Sequence, residues 1–353
     1  MDTLRFVHHF FHLTLRARLS LWGDGRPEEK ELPSLFHSGA LPKRALKSGD
    51  FFHYREALAE FLKVEAWEQK AGVKALEPRD FPPALCAHLP PEKLPALLYL
   101  RGRPLPDEKE CVAIVGTRYP SELGRDAAAN FSAYCGVQGL RVLSGLAKGV
   151  DAIAHQENLR LGTIAILGSG VDDLYPSENR SLAEEILARG GSLLSPFPLS
   201  QVPLPANFPQ RNELIAALSA GTIVIEGNET SGAAVTGKQA LAMGKCVVAL
   251  PQDFRTGFGR GAISLQQAGA VFAANETEAL EYIFSRLGGL ALPPAGLYPR
   301  KRYFSFRDFM AATKKETGEA LILLEEAISR GKIEKTGPDR FSLRRKTAPD
   351  ARR

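Results

Sequence analysis

Between residues 111 and 284, short apolar runs alternate with longer stretches whose apolar positions recur at helical spacing. The runs at 111–115, 141–143, 163–167, 192–195, 222–225, 245–250 and 270–272 predict strands. Segments 122–136, 152–161, 178–188, 212–220, 233–243 and 262–268 predict helices between them. The first strands are apolar at every position rather than at every second one, as expected when helices cover both faces of a sheet. An α/β class follows, with a doubly wound parallel sheet whose ligand edge lies at the carboxyl ends of its strands.

The flanks break this rhythm. Residues 1–75 are rich in Leu, Phe, Ala and His and show helical spacing at 52–69, which predicts a small helical N-terminal domain. Proline recurs through 77–106, so that stretch reads as a wrapping linker ending in the apolar run 97–100. A Rossmann-like domain is expected over 76–288. A second proline- and glycine-bearing linker, 289–299, precedes two helical segments, 305–313 and 316–329. Two strand-like runs follow, 332–335 and 340–343, flanking a Thr-Gly-Pro-Asp turn. Helix, helix, hairpin is the order of a winged-helix module over 299–345; a generic helical cap is the plainer alternative.

Composition adjusts the picture only at the C-terminus. An apolar share of 44% with 24% charged residues is ordinary for a globular protein. The net charge is +5, yet from Arg300 onward fifteen Lys and Arg face eight Asp and Glu, so the rest of the chain is slightly acidic. A basic end on a near-neutral body suggests a polyanion partner. The four cysteines, Cys86, Cys111, Cys135 and Cys246, form no C-x-x-C pair, which removes zinc-knuckle and dithiol-redox readings. Cys111 and Cys246 begin strand-like runs and are expected to act as small buried hydrophobes. His8, His9 and His12 are read as surface imidazoles of an amphipathic helix in preference to a metal site. Neither a signal-peptide pattern nor an apolar run of about 18 residues appears, so the expectation is a cytoplasmic protein without a membrane partner.

Candidate chemistry sits at three glycine-bearing turns: Val115-Gly116-Thr117-Arg118, Ser144-Gly145-Leu146-Ala147-Lys148-Gly149 and Gly168-Ser169-Gly170. Each lies between a strand and a helix, where free backbone N–H groups attract anions and glycine permits close approach. Arg118 and Lys148 add cations. A dinucleotide site would need G-x-G-x-x-G and an acid at the second strand's end; the chain has neither, and it lacks a P-loop. Asp151 and His155, four residues apart, share a helix face, with Asp151 expected to cap that helix. Two further turns look phosphate-suited: Asn207-Phe208-Pro209-Gln210-Arg211-Asn212, and Ser231-Gly232 followed by Lys238.

Together these segments resemble the DprA/Smf family of DNA-processing proteins. The match rests on Val115–Arg118, Ser144–Asp151 with Ala154-His155, Gly168–Gly170 with Tyr175-Pro176 and Asn179-Arg180, Asn207-Phe208-Pro209 with Arg211-Asn212, and Ser231-Gly232 with Thr236. The resemblance implies an extended Rossmann-type domain that needs no cofactor, self-associates as a homodimer, binds single-stranded DNA and loads the recombinase RecA during transformation. It places the family's pocket cations on Arg118 and Arg180. The expected DNA contacts are Gly116, Thr117, Arg118, Ser144, Gly145, Lys148, Gly168, Gly170, Arg180, Arg211, Asn212, Ser231, Gly232 and Lys238.

The chain departs from the family at Glu213, Thr230, Ala183 and Pro196, where members commonly carry a cation, a cation, an aromatic and a glutamate. Glu213 is therefore expected to face and repel the strand. The reading is a non-catalytic protein. Two rivals are a phosphoribohydrolase acting on nucleoside monophosphates and a structural partner that binds no DNA. The hydrolase needs a glutamate after a Pro-Gly-Gly-x-Gly-Thr turn, and residues 231–240 contain no carboxylate.

Overall fold

A computed structural model describes residues 2–11, 15–22, 25–38 and 54–285, with 303–304, 322–325, 328, 333–337 and 340–343. Its strands are β1 (Val73–Leu76), β2 (Leu98–Gly102), β3 (Cys111–Val115), β4 (Arg141–Ser144), β5 (Ile164–Ile166), β6 (Ser192–Ser195), β7 (Gly221–Val224), β8 (Cys246–Ala249) and β9 (Val271–Phe272). They form one sheet in the order β1-β2-β6-β5-β4-β3-β7-β8-β9. Every pairing from β6 to β9 is parallel, whereas β1–β2 and β2–β6 are antiparallel. This is a parallel-dominated, Rossmann-like α/β sheet. The chain winds outward from β3 through β4, β5 and β6, then returns to β7 on the other side. The switch point therefore lies between β3 and β7, where ligands of open α/β sheets bind.

Strand β3 shows why the run is apolar throughout. Cys111, Ala113 and Val115 join the core formed with α9 (Asn207–Ala217) and α10 (Gly232–Ala242). Val112 and Ile114 join the opposite core, with Phe131 and Tyr134 of α6 (Glu122–Val137) and Val150 of α7 (Val150–Asn158). Burial holds Cys111 and Cys135 as thiols, pushing each up to about 12.

The linker expected at 77–106 holds more structure than its prolines suggest. Its apolar run is β2, buried at Leu98, Tyr99 and Leu100 and paired with β6, Tyr99 opposite Ser195. A five-residue strand fits between prolines because its antiparallel partners lie elsewhere in the chain. The short helix α5 (Pro83–His88) starts on proline, whose missing N–H costs nothing in a first turn. The N-terminal region supplies α1 (Thr3–Phe10), α2 (Leu15–Trp22), α3 (Leu32–Ser38) and α4 (Tyr54–Ala71), of which α1 and α4 pack on this edge. Leu4, Phe6 and Phe61 share a cluster with Tyr99, Leu193 and, from α8 (Arg180–Ala188), Ile186.

The expected surface imidazoles are buried instead. His8 stacks on Tyr99 at 5.8 Å, and His9 meets Phe10 edge-on at 4.6 Å. The apolar face of α1 is wide enough to take both rings into the core. His12 lies outside the described residues. In the C-terminal region, β10 (Tyr303–Phe304), β11 (Ile333–Gly337) and β12 (Arg340–Leu343) form a small antiparallel sheet, in which β12 pairs with both β10 and β11. Most of the two helical segments ahead of β11 lies outside the described residues.

A cation- and aromatic-lined cleft at the strand ends

The loops that leave β3, β4 and β5 converge with the start of α9 around a cleft of about 160 Å³. It is lined by Arg118, Tyr119, Gly145, Ala147, Lys148, Tyr175, Pro176, Phe208 and Arg211. Its floor is built from buried polar groups. Arg211 is 6% exposed and donates from Nη1 to the carbonyl of Ile166 at 3.1 Å. The guanidinium lies over Gly145, where a Cβ would fall on it, and its carbon sits 5.7 Å from the centre of the Phe208 ring. No other residue type leaves room there for the arginine.

Asp151 is the counter-charge. Its carboxylate accepts the N–H groups of Gly145 at 3.1 Å and Ala147 at 3.4 Å, so it braces the preceding turn. The expected helix-capping role is not what the structure shows: Asp151 lies inside α7, whose cap position is Gly149. Burial raises the Asp151 carboxyl above its usual range, and the charge of Arg211 opposes that shift. Burial likewise lowers Arg211, with Asp151 opposing. His155 donates from Nδ1 to Thr163 Oγ1 at 2.8 Å, because the threonine hydroxyl gives its own proton to the Val142 carbonyl, and burial pushes the imidazole down to about 3, so it stays neutral at ordinary pH.

The rim carries charged side chains on a hydrogen-bonded frame. Arg118 is exposed, 6.0 Å from the Phe208 ring centre. Its loop is pinned by Ser121, which caps α6 through Gly124 N–H and whose own N–H and Oγ donate to the buried Glu226 at 2.9 and 2.5 Å. Lys148 is paired with exposed Glu178, which raises the lysine and lowers the glutamate through their hydrogen bond. Tyr119 is 79% exposed and Tyr175 44% exposed, with the Tyr175 and Phe208 rings 6.1 Å apart.

Four of the expected contacts therefore share the cleft: Arg118, Gly145, Lys148 and Arg211. Arg211 belongs to the floor and not to a free phosphate grip, because α9 begins at Asn207 and carries Arg211 and Asn212 onto its buried side. Asn212 donates to the Gly232 carbonyl at 3.3 Å and ties α9 to α10. Ser231 caps α10 through Ala234 N–H, Gly232 opens that helix, and Lys238 is exposed further along it; none of them lines the cleft. Arg180 lines a different cleft.

The glycines serve protein packing. A Cβ on Gly116 would meet Val150 at 2.5 Å, one on Gly168 would meet Phe208 at 2.9 Å, and one on Gly170 would meet the Pro198 carbonyl at 2.6 Å. The space that was expected for a strand is filled by side chains and backbone of the chain itself. Ser144 is fully buried and donates to the Ile114 carbonyl, and Thr117 Oγ1 accepts from Tyr119 N–H within its own turn. Glu213 turns away to Lys93 at 2.6 Å and is not part of the lining. Sequence reasoning missed the aromatic rim of Tyr119, Tyr175 and Phe208. Its signal was present: each aromatic directly precedes a proline, Tyr119 and Tyr175 in strand-end loops and Phe208 in the first turn of α9.

These features define a doubly wound α/β protein with a cationic, aromatic-rimmed cleft at the carboxyl ends of its strands. The chain belongs to the DNA recombination-mediator protein A family, whose model matches residues 73–284. It is 36% identical over 226 residues to Protein Smf of Synechocystis, an alignment covering 61% of this chain and 55% of that protein. It is 35% identical over 179 residues to the DNA processing protein DprA of Bacillus subtilis, covering 50% and 60%. The chain spans about half the length of the first curated relatives it matches. Among solved structures, DNA processing protein A of Streptococcus pneumoniae aligns with TM-score 0.53 and 30% identity over 64% of this chain and 80% of that one. DNA processing protein A of Helicobacter pylori, solved for its single-stranded DNA binding mode, aligns with TM-score 0.52 and 27% identity over 61% and 96%. No helix among the described residues is long and apolar enough to cross a membrane.

Proposed function

We propose that this chain is a non-catalytic protein of the cytoplasm that binds single-stranded DNA through the strand-end cleft and passes it to recombination. The observation that carries the reading is one concave edge bearing two cations, the exposed Arg118 and the half-buried Lys148 beside its partner Glu178, among three partly exposed rings, Tyr119, Tyr175 and Phe208. Cations hold phosphates without regard to sequence, and unstacked bases find aromatic faces only in a single strand. The family membership and the printed subject of the Helicobacter pylori structure support the same ligand. Within this reading the strand is delivered to RecA by a homodimer. The helical residues 1–75 pack against the Rossmann-like domain at 76–288, and a winged-helix module at 299–345 follows as a separate unit that adds an auxiliary contact to duplex through its basic surplus.

A salt titration with single- and double-stranded DNA of equal length tests it. Single strands should bind more tightly, and the two phosphates neutralised in this cleft contribute about −1.4 to the slope of log K on log salt, from roughly −0.7 per phosphate. Equal affinity for duplex, or a slope near zero, would refute the cleft as the binding site.

A further inference from the structure

A second cleft, of about 430 Å³, opens between the N-terminal helix α4 and the start of α8. Lys63 and Trp67 stand one helical turn apart on α4, Arg101 comes from β2, and Arg180 is the first residue of α8. Trp67 is 37% exposed, a large fraction for an indole, with the Arg101 guanidinium 5.9 Å from its ring centre. Two acids also line the space, and both are engaged. Glu184 pairs with Arg101 at 3.4 Å, and Asp172 accepts the Ser200 N–H at 2.9 Å. Arg180 is exposed and makes no ion pair or hydrogen bond among the described residues.

From this juxtaposition of Lys63, Trp67, Arg101 and Arg180 we infer a second binding station for a single strand, with Trp67 as the surface on which one base stacks. The inference rests on the single-strand reading above, but its residues are distinct from those of the first cleft. Three considerations select this ligand. A volume within the range of about 300–1,000 Å³ found for small-ligand sites admits a nucleotide. A partly exposed tryptophan beside the Arg101 guanidinium presents a π-face that is already polarised by a cation. An unpaired arginine at the mouth supplies a phosphate contact without first breaking a salt bridge. Duplex DNA keeps its base faces stacked inside and has nothing to offer Trp67.

This chain contains two tryptophans, so Trp22→Phe in the intact chain leaves Trp67 as its only indole emitter. With two clefts to span and site sizes of about 4–16 nucleotides for single-strand binding domains, an oligothymidine of about 30 nucleotides is the probe. Its binding should quench Trp67 emission, and thymidine monophosphate at equal nucleotide concentration should quench it far less. Trp67→Ala should weaken the oligomer about fivefold to a hundredfold, the range of one lost base–aromatic stack, and Trp67→Phe should restore most of it. Arg180→Ala should flatten the salt slope by about 0.7. Thermal melts of each variant close to that of the parent show that folding is intact; a variant that melts early is replaced by Lys63→Gln, which should also flatten the slope. An oligomer that binds while Trp67 emission and the Trp67→Ala affinity stay unchanged overturns the second station alone. Quenching by an acidic peptide but not by the oligomer overturns it in favour of a protein partner. Absence of any oligomer binding by the parent overturns both readings.

Discussion

Arg211→Ala separates a structural arginine from a DNA-contacting one. The variant loses the bond from Nη1 to the Ile166 carbonyl, 3.1 Å long and buried. A hydrogen bond to a charged group contributes about 1.5–3 kcal/mol. The void left between Gly145 and the Phe208 ring adds roughly 1 kcal/mol of lost packing. A destabilisation of about 3 kcal/mol follows, and at roughly 2–4 °C per kcal/mol for a unit of 150–250 residues it lowers Tm by about 6–12 °C. Circular dichroism melts at neutral pH make the measurement, with Arg118→Ala as the exposed control.

The same variant has a pH signature. Asp151 is held above its ordinary value by burial, so between that value and its folded one the native state binds more protons than the unfolded chain. Stability therefore falls as pH rises through this window, and it recovers as pH falls and the carboxyl is protonated. Arg211 is the charge that limits the cost. Its removal should hurt most at pH 7 and progressively less toward pH 4.5. A melting temperature within about 1 °C of the parent at pH 7, or a deficit that does not change with pH, would refute the buried Asp151–Arg211 couple.

The remaining predictions concern the rim. Arg118→Ala should weaken single-strand binding and flatten the salt slope by about 0.7 while leaving Tm unchanged, because its side chain is exposed. Tyr119→Ala should cost about 1–3 kcal/mol of binding in a fluorescence-anisotropy titration if a base stacks there, again without loss of stability. Glu178→Gln frees Lys148 from its exposed partner and removes an anion from the rim, so binding should tighten a few-fold at low salt and less at high salt. Glu213→Arg should leave affinity unchanged, because Glu213 faces Lys93 outside the cleft; strengthened binding would show that α9 sits otherwise.

How much of this was legible in the sequence depends on whether the deciding contact is local. The run Cys111–Val115 announces a doubly covered strand because burial on both faces demands an apolar residue at each position. Helix α6 likewise carries its own start signal, Ser121 ahead of Glu122 and Gly124. Strand β2 carries none. Five residues among prolines become a strand only because β1 and β6 flank them, partners 22 or more positions away in sequence.

The site divides along the same line. That Gly116, Gly145 and Gly168 need small residues was readable, but what occupies the space was not. An anion and a neighbouring side chain impose the same requirement on a glycine, and only the fold shows that Val150, Arg211 and Phe208 arrive there. Arg211 was misjudged for a related reason. A proline in its first turn is compatible with a helix that has already begun, so counting α9 from Asn212 instead of Asn207 turned a buried face outward. The correction changes the chemistry of the cleft. With its glycines filled and one arginine locked in the floor, affinity has to come from few phosphate contacts and from aromatic faces. A cleft so arranged should depend less on salt than one that relies on backbone N–H groups and four cations of its own, and that is what a small contribution to the slope would report.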